Sequence, residues 1–189
     1  VGMSIGLTFA LSLVVAPMLY RSIGMDGIFV LTGALALAAI GVVIWAVPPA
    51  PAVPVHAPGV PRMSLLSVAF EPDLLRLNAG IFILHVMQMA MFVVVPGWLI
   101  ERGGLALAEH WKVYLPVVLI SFVIMAPLLF LGERRGHLRT VFIGSVALLL
   151  VVQLLFALQP DGLIPLAGLL LAFFVGFNIL EASLPSLIS

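Results

Sequence analysis

Residues 140–160, TVFIGSVALLLVVQLLFALQP, run without a charge from Arg139 to Asp161. At 1.5 Å per residue a helix of this length crosses a hydrocarbon core roughly 30 Å thick, whereas a surface helix of a soluble protein carries charges along one face. The pattern recurs along the chain. Uncharged runs cover 1–20, 27–61, 77–100, 113–132, 140–160 and 162–180, and the eight Lys/Arg and eight Asp/Glu fall almost entirely between them. The expectation is an all-α polytopic membrane protein with six transmembrane helices. Strands of a membrane barrel are excluded, because they would be about 9–11 residues long and alternate polar with apolar residues.

Composition points the same way. Hydrophobic residues make up 63% of the chain and charged ones 8%, against roughly 45–50% and 25% in soluble domains, so there is too little polar surface to cover such a core in water. With no cysteine, disulfides and thiolate metal sites are excluded. The formal net charge of zero offers no basic field for nucleic acid. No basic start and small-residue cleavage site precede the first run, so the opening segment counts as structure. Because the chain opens at Val1 within one apolar segment and stops at Ser189 just past another, it reads as an excerpt of a longer polypeptide.

In the first span, Gly2, Gly6 and Ser12 are small residues where a neighbouring helix can approach, and Pro17 is expected to bend it. Arg21 to Gly27 reads as a short turn before a second span ending at Pro48-Pro49. Residues 48–62 then carry six prolines, which forbid a regular helix and mark a linker between two bundles. The linker continues through a short amphipathic surface helix expected over Ser67–Arg76. The third to sixth spans are expected at about 76–99, 111–131, 140–159 and 163–183. The loop Gly132–Arg139 holds three arginines and marks the cytoplasmic side. That assignment places Arg62 and Arg76 inside with it, and both ends of the chain as well.

Polar side chains within spans are where function is first sought. Asn78, Ile81, His85, Gln88, Phe92 and Pro96 recur every three or four residues and share one face of the third span. His85 and Gln88 form either a cavity wall with a titratable patch or a buried polar contact satisfied by a neighbouring helix. On the sixth span, Asn178 and Glu181 lie one turn apart. Glu181 reads as a proton-coupling group, as a structural ion pair, or as a plain interfacial residue. Gln153 reads as a helix contact, and His110 with Trp111 as an interfacial anchor. The four histidines are too scattered for zinc, and no nucleotide loop or nucleophile triad is present. No cofactor is expected, and the chain does not read as an enzyme.

The chain resembles part of a major facilitator superfamily transporter, most closely the bacterial YajR-type branch of the drug:proton antiporter group. The likeness is carried by Gly2 to Pro17, Glu71 to Asn78, Ala108 to Leu115 and Phe177 to Ser189. It implies helices five to ten of a twelve-helix, two-bundle fold. Residues 1–47 would be the last two helices of the N-terminal bundle, 48–75 the central cytoplasmic linker, and 76–189 the first four helices of the C-terminal bundle. The antiporter motif of the fifth helix matches Gly2, Gly6 and Pro17, with Ala16 where glycine is usual. The cytoplasmic loop motif is echoed by Gly132, Arg134, Arg135 and Arg139, without its aspartate.

The resemblance implies proton-coupled efflux of small hydrophobic or amphiphilic compounds by alternating access, in a multi-pass protein of the bacterial cytoplasmic (inner) membrane. Its partners would be lipid, the small-molecule substrate, protons and the missing helices of the same polypeptide. The alternative is a non-transporting membrane scaffold or subunit whose partner completes the bundle. Native absence of cysteine makes topology measurable: a Gly136→Cys variant should react with an impermeant maleimide only from the cytoplasmic side, and Asp161→Cys only from outside. The reverse pattern would invert the orientation.

Overall fold

A computed structural model describes residues 2–48 and 70–184, and every long element in them is a helix. We number these α1 (Gly2–Trp45), α2 (Pro72–Glu101), α3 (Trp111–Arg134), α4 (Leu138–Ala157) and α5 (Leu163–Ser183), with a short 3-10 turn at Leu107–Glu109. The chain divides into two compact units, one of Val15–Ala69 and one of Val1–Val14 with Phe70–Ser189.

The expected count of six spans is corrected to five. The segments long and apolar enough to cross a membrane among the described residues are Val15–Trp45, Pro72–Glu101, Leu107–Arg134, Leu138–Ala157 and Leu163–Ser183. The difference lies around Arg21–Gly27: two helical segments meet there across a kink at Gly24 (φ 70°, ψ −176°), where a turn is expected, and the apolar stretch Val15–Trp45 that includes this kink counts as a single candidate span. Such a positive φ suits a residue without a Cβ. Polar residues on either side of the kink bond back to their own helical segment: Ser22 Oγ donates to the Leu19 carbonyl at 3.1 Å and Thr32 Oγ1 to that of Ile28 at 2.8 Å. Pro17 lies inside α1 and retains helical dihedrals. No residue from Val15 to Trp45 is buried.

The expected proline-rich linker lies mostly outside the described residues, as do His56 and the start of the anticipated surface helix. The described part of that helix is the first turn of α2. Glu71 caps it, its carboxylate accepting from the Asp73 and Leu74 amides at 2.8 and 3.2 Å, with Pro72 in the first helical position.

Within the larger unit, α5 is the hub, packing on α4, α3 and α2. Half of its apolar window is buried, and Leu166, Leu170, Phe173, Phe174, Phe177 and Leu180 belong to one core with residues of all three neighbours. A helix apolar all round suits such a position. Small residues bring the backbones together. A Cβ on Gly176 would lie 3.1 Å from Leu149 Cδ2, and one on Gly132 would lie 2.9 Å from Val141 Cγ2.

Turns join these helices tightly. After α3, Gly136 (φ 67°) donates its amide to the Glu133 carbonyl and His137 donates to Gly132 at 2.7 Å, the left-handed glycine cap of a Schellman motif. On the opposite side of the bundle, Arg102 at the end of α2 grips the α4–α5 turn. Its guanidinium donates to the Gln159 carbonyl at 2.9 Å, to Gln159 Oε1 at 2.6 Å and to Asp161 Oδ1 at 2.8 Å. Gln159 adopts φ 52°, a conformation uncommon outside glycine.

Gly176→Val should wedge α4 from α5 and lower the thermal midpoint in detergent, by an amount equivalent to about 1–3 kcal/mol of overpacking. The same change at Gly144, where a Cβ meets nothing within 4 Å, should be nearly silent.

Candidate functional site

His85 and Glu181, distant in sequence, are neighbours in space. The side chains project from α2 and α5, with His85 Nε2 3.8 Å from Glu181 Oε2 and 44% and 31% of the respective side chains exposed. That separation exceeds a direct hydrogen bond but is within reach of an ion pair. The other ring nitrogen is already committed. His85 Nδ1 lies 2.9 Å from the Ile81 carbonyl on the same helix, and a carbonyl can only accept, so Nδ1 carries a proton. The ring is further held edge-on to Phe177, with centroids 6.0 Å apart.

This anchoring defines the chemistry of the free nitrogen. A neutral His85 turns the Nε2 lone pair toward Glu181, and an ionised carboxylate opposite it leaves two acceptors facing each other. One proton placed on either group relieves this arrangement. The geometry thus sets an imidazole nitrogen against a carboxylate, in partial contact with the surroundings.

Asn178, one turn before Glu181, has a different task. Its Nδ2 donates to Ser121 Oγ at 2.8 Å, and Ser121 Oγ, in a residue with 0% exposure, donates to the Val118 carbonyl at 2.6 Å. This bridge ties α5 to α3 one turn before Glu181. Gln88 is half-buried on α2 and makes no hydrogen bond among the described residues.

Gly2, Gly6, Ala16 and Pro17 all lie within α1. Gly132 is buried, and its place is explained by close contact with Val141. Arg134, Arg135 and Arg139 are exposed, and the Arg134 guanidinium sits 5.5 Å from the Phe130 ring centre.

Some features were not anticipated from the sequence. A cavity of about 590 Å³ opens between α2, α4 and α5, lined by Arg76, Gly80, Leu84, Leu149, Gln153 and Leu180 among others. Gln153 thus lines a cavity wall, although its sequence context suggested a simple helix contact. At 100° per residue this cavity occupies a face of α2 different from that of His85. His110, expected at an interface, is 7% exposed, while the adjacent Trp111 is 41% exposed. Among the described residues no group of three or more His, Cys, Asp or Glu is placed to hold a metal.

Comparison with known proteins gives a consistent set of relatives. The chain is 39% identical over 191 residues to the inner membrane transport protein YajR of Escherichia coli (strain K12), spanning 100% of the chain and 42% of that protein. It is 26% identical over 197 residues to the uncharacterized transporter BU466 of Buchnera aphidicola subsp. Acyrthosiphon pisum (strain APS), spanning 100% of the chain and 49% of that relative. The chain therefore spans less than half the length of either. No protein-family profile matches it, and no solved structure does.

The Asn178–Ser121 bridge should show coupling in a double-mutant cycle. Replacing each by Ala, singly and together, should reveal an interaction of about 0.6–1.7 kcal/mol, the range of hydrogen bonds between membrane helices. Additive losses would mean that the bridge does not tie α5 to α3.

Proposed function

This chain is a major facilitator superfamily relative of the YajR-type inner-membrane transporters, similar over its whole length, and from that premise we propose that it belongs to a secondary active transporter. The proposed activity is export of small hydrophobic or amphiphilic compounds in exchange for protons, by alternating access within the full-length polypeptide. The kinship is with a transporter rather than an enzyme, and with a multi-pass protein of the inner membrane.

The observation that carries the coupling is the His85–Glu181 pair. An antiporter needs a group that holds a proton in one state and yields it when cargo competes for the same place. A pair with one proton and two owners, open to its surroundings over a third to a half of each side chain, supplies such a group. Protonation removes a negative charge from the cavity wall, and a cationic amphiphile would restore charge balance when the proton leaves. Cargo and proton then compete electrostatically, the condition for exchange. In this reading Gln88 contributes a hydrogen-bonding wall and Asn178 positions Glu181, while Gly2, Gly6, Ala16 and Pro17 form the antiporter-like helix. The arginines of the α3–α4 loop face the cytoplasm, as do both ends of this segment.

The test uses the full-length protein in proteoliposomes, with ethidium as the cargo probe and an imposed pH gradient. Glu181→Gln should reduce proton-driven ethidium flux by about tenfold or more, the lower side of what a positioned proton-transfer group contributes, and His85→Gln should do the same. Both variants should keep their elution profile and thermal midpoint. Unchanged flux with unchanged dependence on the gradient would remove the pair from the mechanism.

A further inference from the structure

Two polar side chains near the start of α3 are buried without a partner. His110 is 7% and Tyr114 5% exposed, and neither His110 Nε2 nor Tyr114 Oη makes a hydrogen bond among the described residues. A buried polar atom left unpaired costs about 1–3 kcal/mol, so two of them one helical turn apart call for an explanation. They share the buried stripe of α3 that continues through Val117 and Val118 to Ser121. Glu109 and Lys112, on either side of His110, are paired with each other.

Their position relates them to the coupling pair. The Tyr114 ring stacks on Phe92, with centroids 5.8 Å apart, and Phe92 lies on the same face of α2 as Gln88 and His85. Each member of that series is one turn from the next, about 4.5–6 Å along the helix axis. A second line runs down α3 to Ser121, which binds Asn178 one turn from Glu181. Polar side chains thus recur from the start of α3 toward the His85–Glu181 pair, spaced by Val117, Val118 and Phe92 and beside the ring contacts of Phe92 with Phe174, Phe174 with Phe173 and Phe173 with Phe177.

We propose that His110 and Tyr114 form the outer end of a proton route that leads to Glu181 and His85. The route rests on the coupling role proposed for that pair. Its carriers are protons moving through hydrogen-bonded water and side chains. At His110, Nε2 accepts one proton and releases one. At Tyr114 the hydroxyl oxygen accepts a proton on a lone pair as its own proton passes to the next acceptor. Each residue ends with the protons it began with, and the net change is one proton delivered to the Glu181 carboxylate or to His85 Nε2. No other bond is made or broken. Gln88, half-buried between His85 and Phe92, is the intermediate relay on α2.

The experiment follows arrival of the proton rather than transport of cargo. Full-length protein in oriented proteoliposomes is exposed to an acid jump in the outside medium, and the carboxyl stretching band of Glu181, identified by its loss in Glu181→Gln, is followed by time-resolved infrared spectroscopy. Tyr114→Phe, which removes one oxygen and keeps the ring on Phe92, should slow the appearance of this band by about tenfold or more. His110→Phe should do likewise, with the final amplitude of the band and the thermal midpoint retained in both variants. An unchanged rate in Tyr114→Phe and His110→Phe overturns the route and leaves the coupling pair standing. If neither the Glu181 carboxyl band nor a His85 imidazolium ring band, assigned by its loss in His85→Gln, responds to the jump, the coupling reading falls and the route falls with it.

Discussion

Hydrocarbon cannot hydrogen-bond, and every feature of this chain answers to that constraint. Backbone groups are satisfied within each helix, so the spans are helical. Polar side chains then have few options. Thr32 and Ser22 bond back to their own helix, Ser121 and Asn178 bond to each other across two helices, and His85 commits one nitrogen to its own backbone while presenting the other to Glu181. The same constraint makes the exceptions informative. Where His110 Nε2 and Tyr114 Oη enter the interior without partners among the described residues, the apolar surroundings raise the cost of leaving them so.

The central place of α5 follows from its sequence. Between Gly162 and Glu181 it carries no charge and a single amide, Asn178. It can therefore contact neighbours on several sides, and glycine at 176 lets α4 come close. Helices α2 to α4 are about as apolar, and their lower burial leaves more of each apolar surface uncovered by protein among the described residues. Glu181 ends this helix as its only carboxylate. It faces His85 because the helix is held against both α2 and α3.

Helices α2 to α5 were legible within a few residues because charge marks the boundaries of a membrane span and lipid tolerates little else inside. Around residue 24 the break is legible, since Arg21, Asp26 and two glycines resemble a turn and the chain kinks at Gly24; the count of spans is not, because a single glycine absorbs the change of direction and the flanking residues stay helical. The faces of His85 and Glu181 followed from helical periodicity. Their meeting did not, because the register between α2 and α5 is set by packing that no local pattern encodes. Gln153 and His110 were misjudged for a related reason: a polar residue at a given depth can face a cavity, a neighbour or lipid, and depth alone does not distinguish them.

The Arg102 grip on the α4–α5 turn is one of two unlike attachments of α2. It is made in contact with water, where Asp161 is 86% exposed and dissolved salt screens the attraction within about 10 Å at moderate ionic strength. Toward its middle the same helix leans on α5, where His85 meets Glu181 with 44% and 31% of the side chains exposed. A single helix is therefore tethered through two different media, by a solvent-facing ion pair at one end and by a half-covered polar pair farther along.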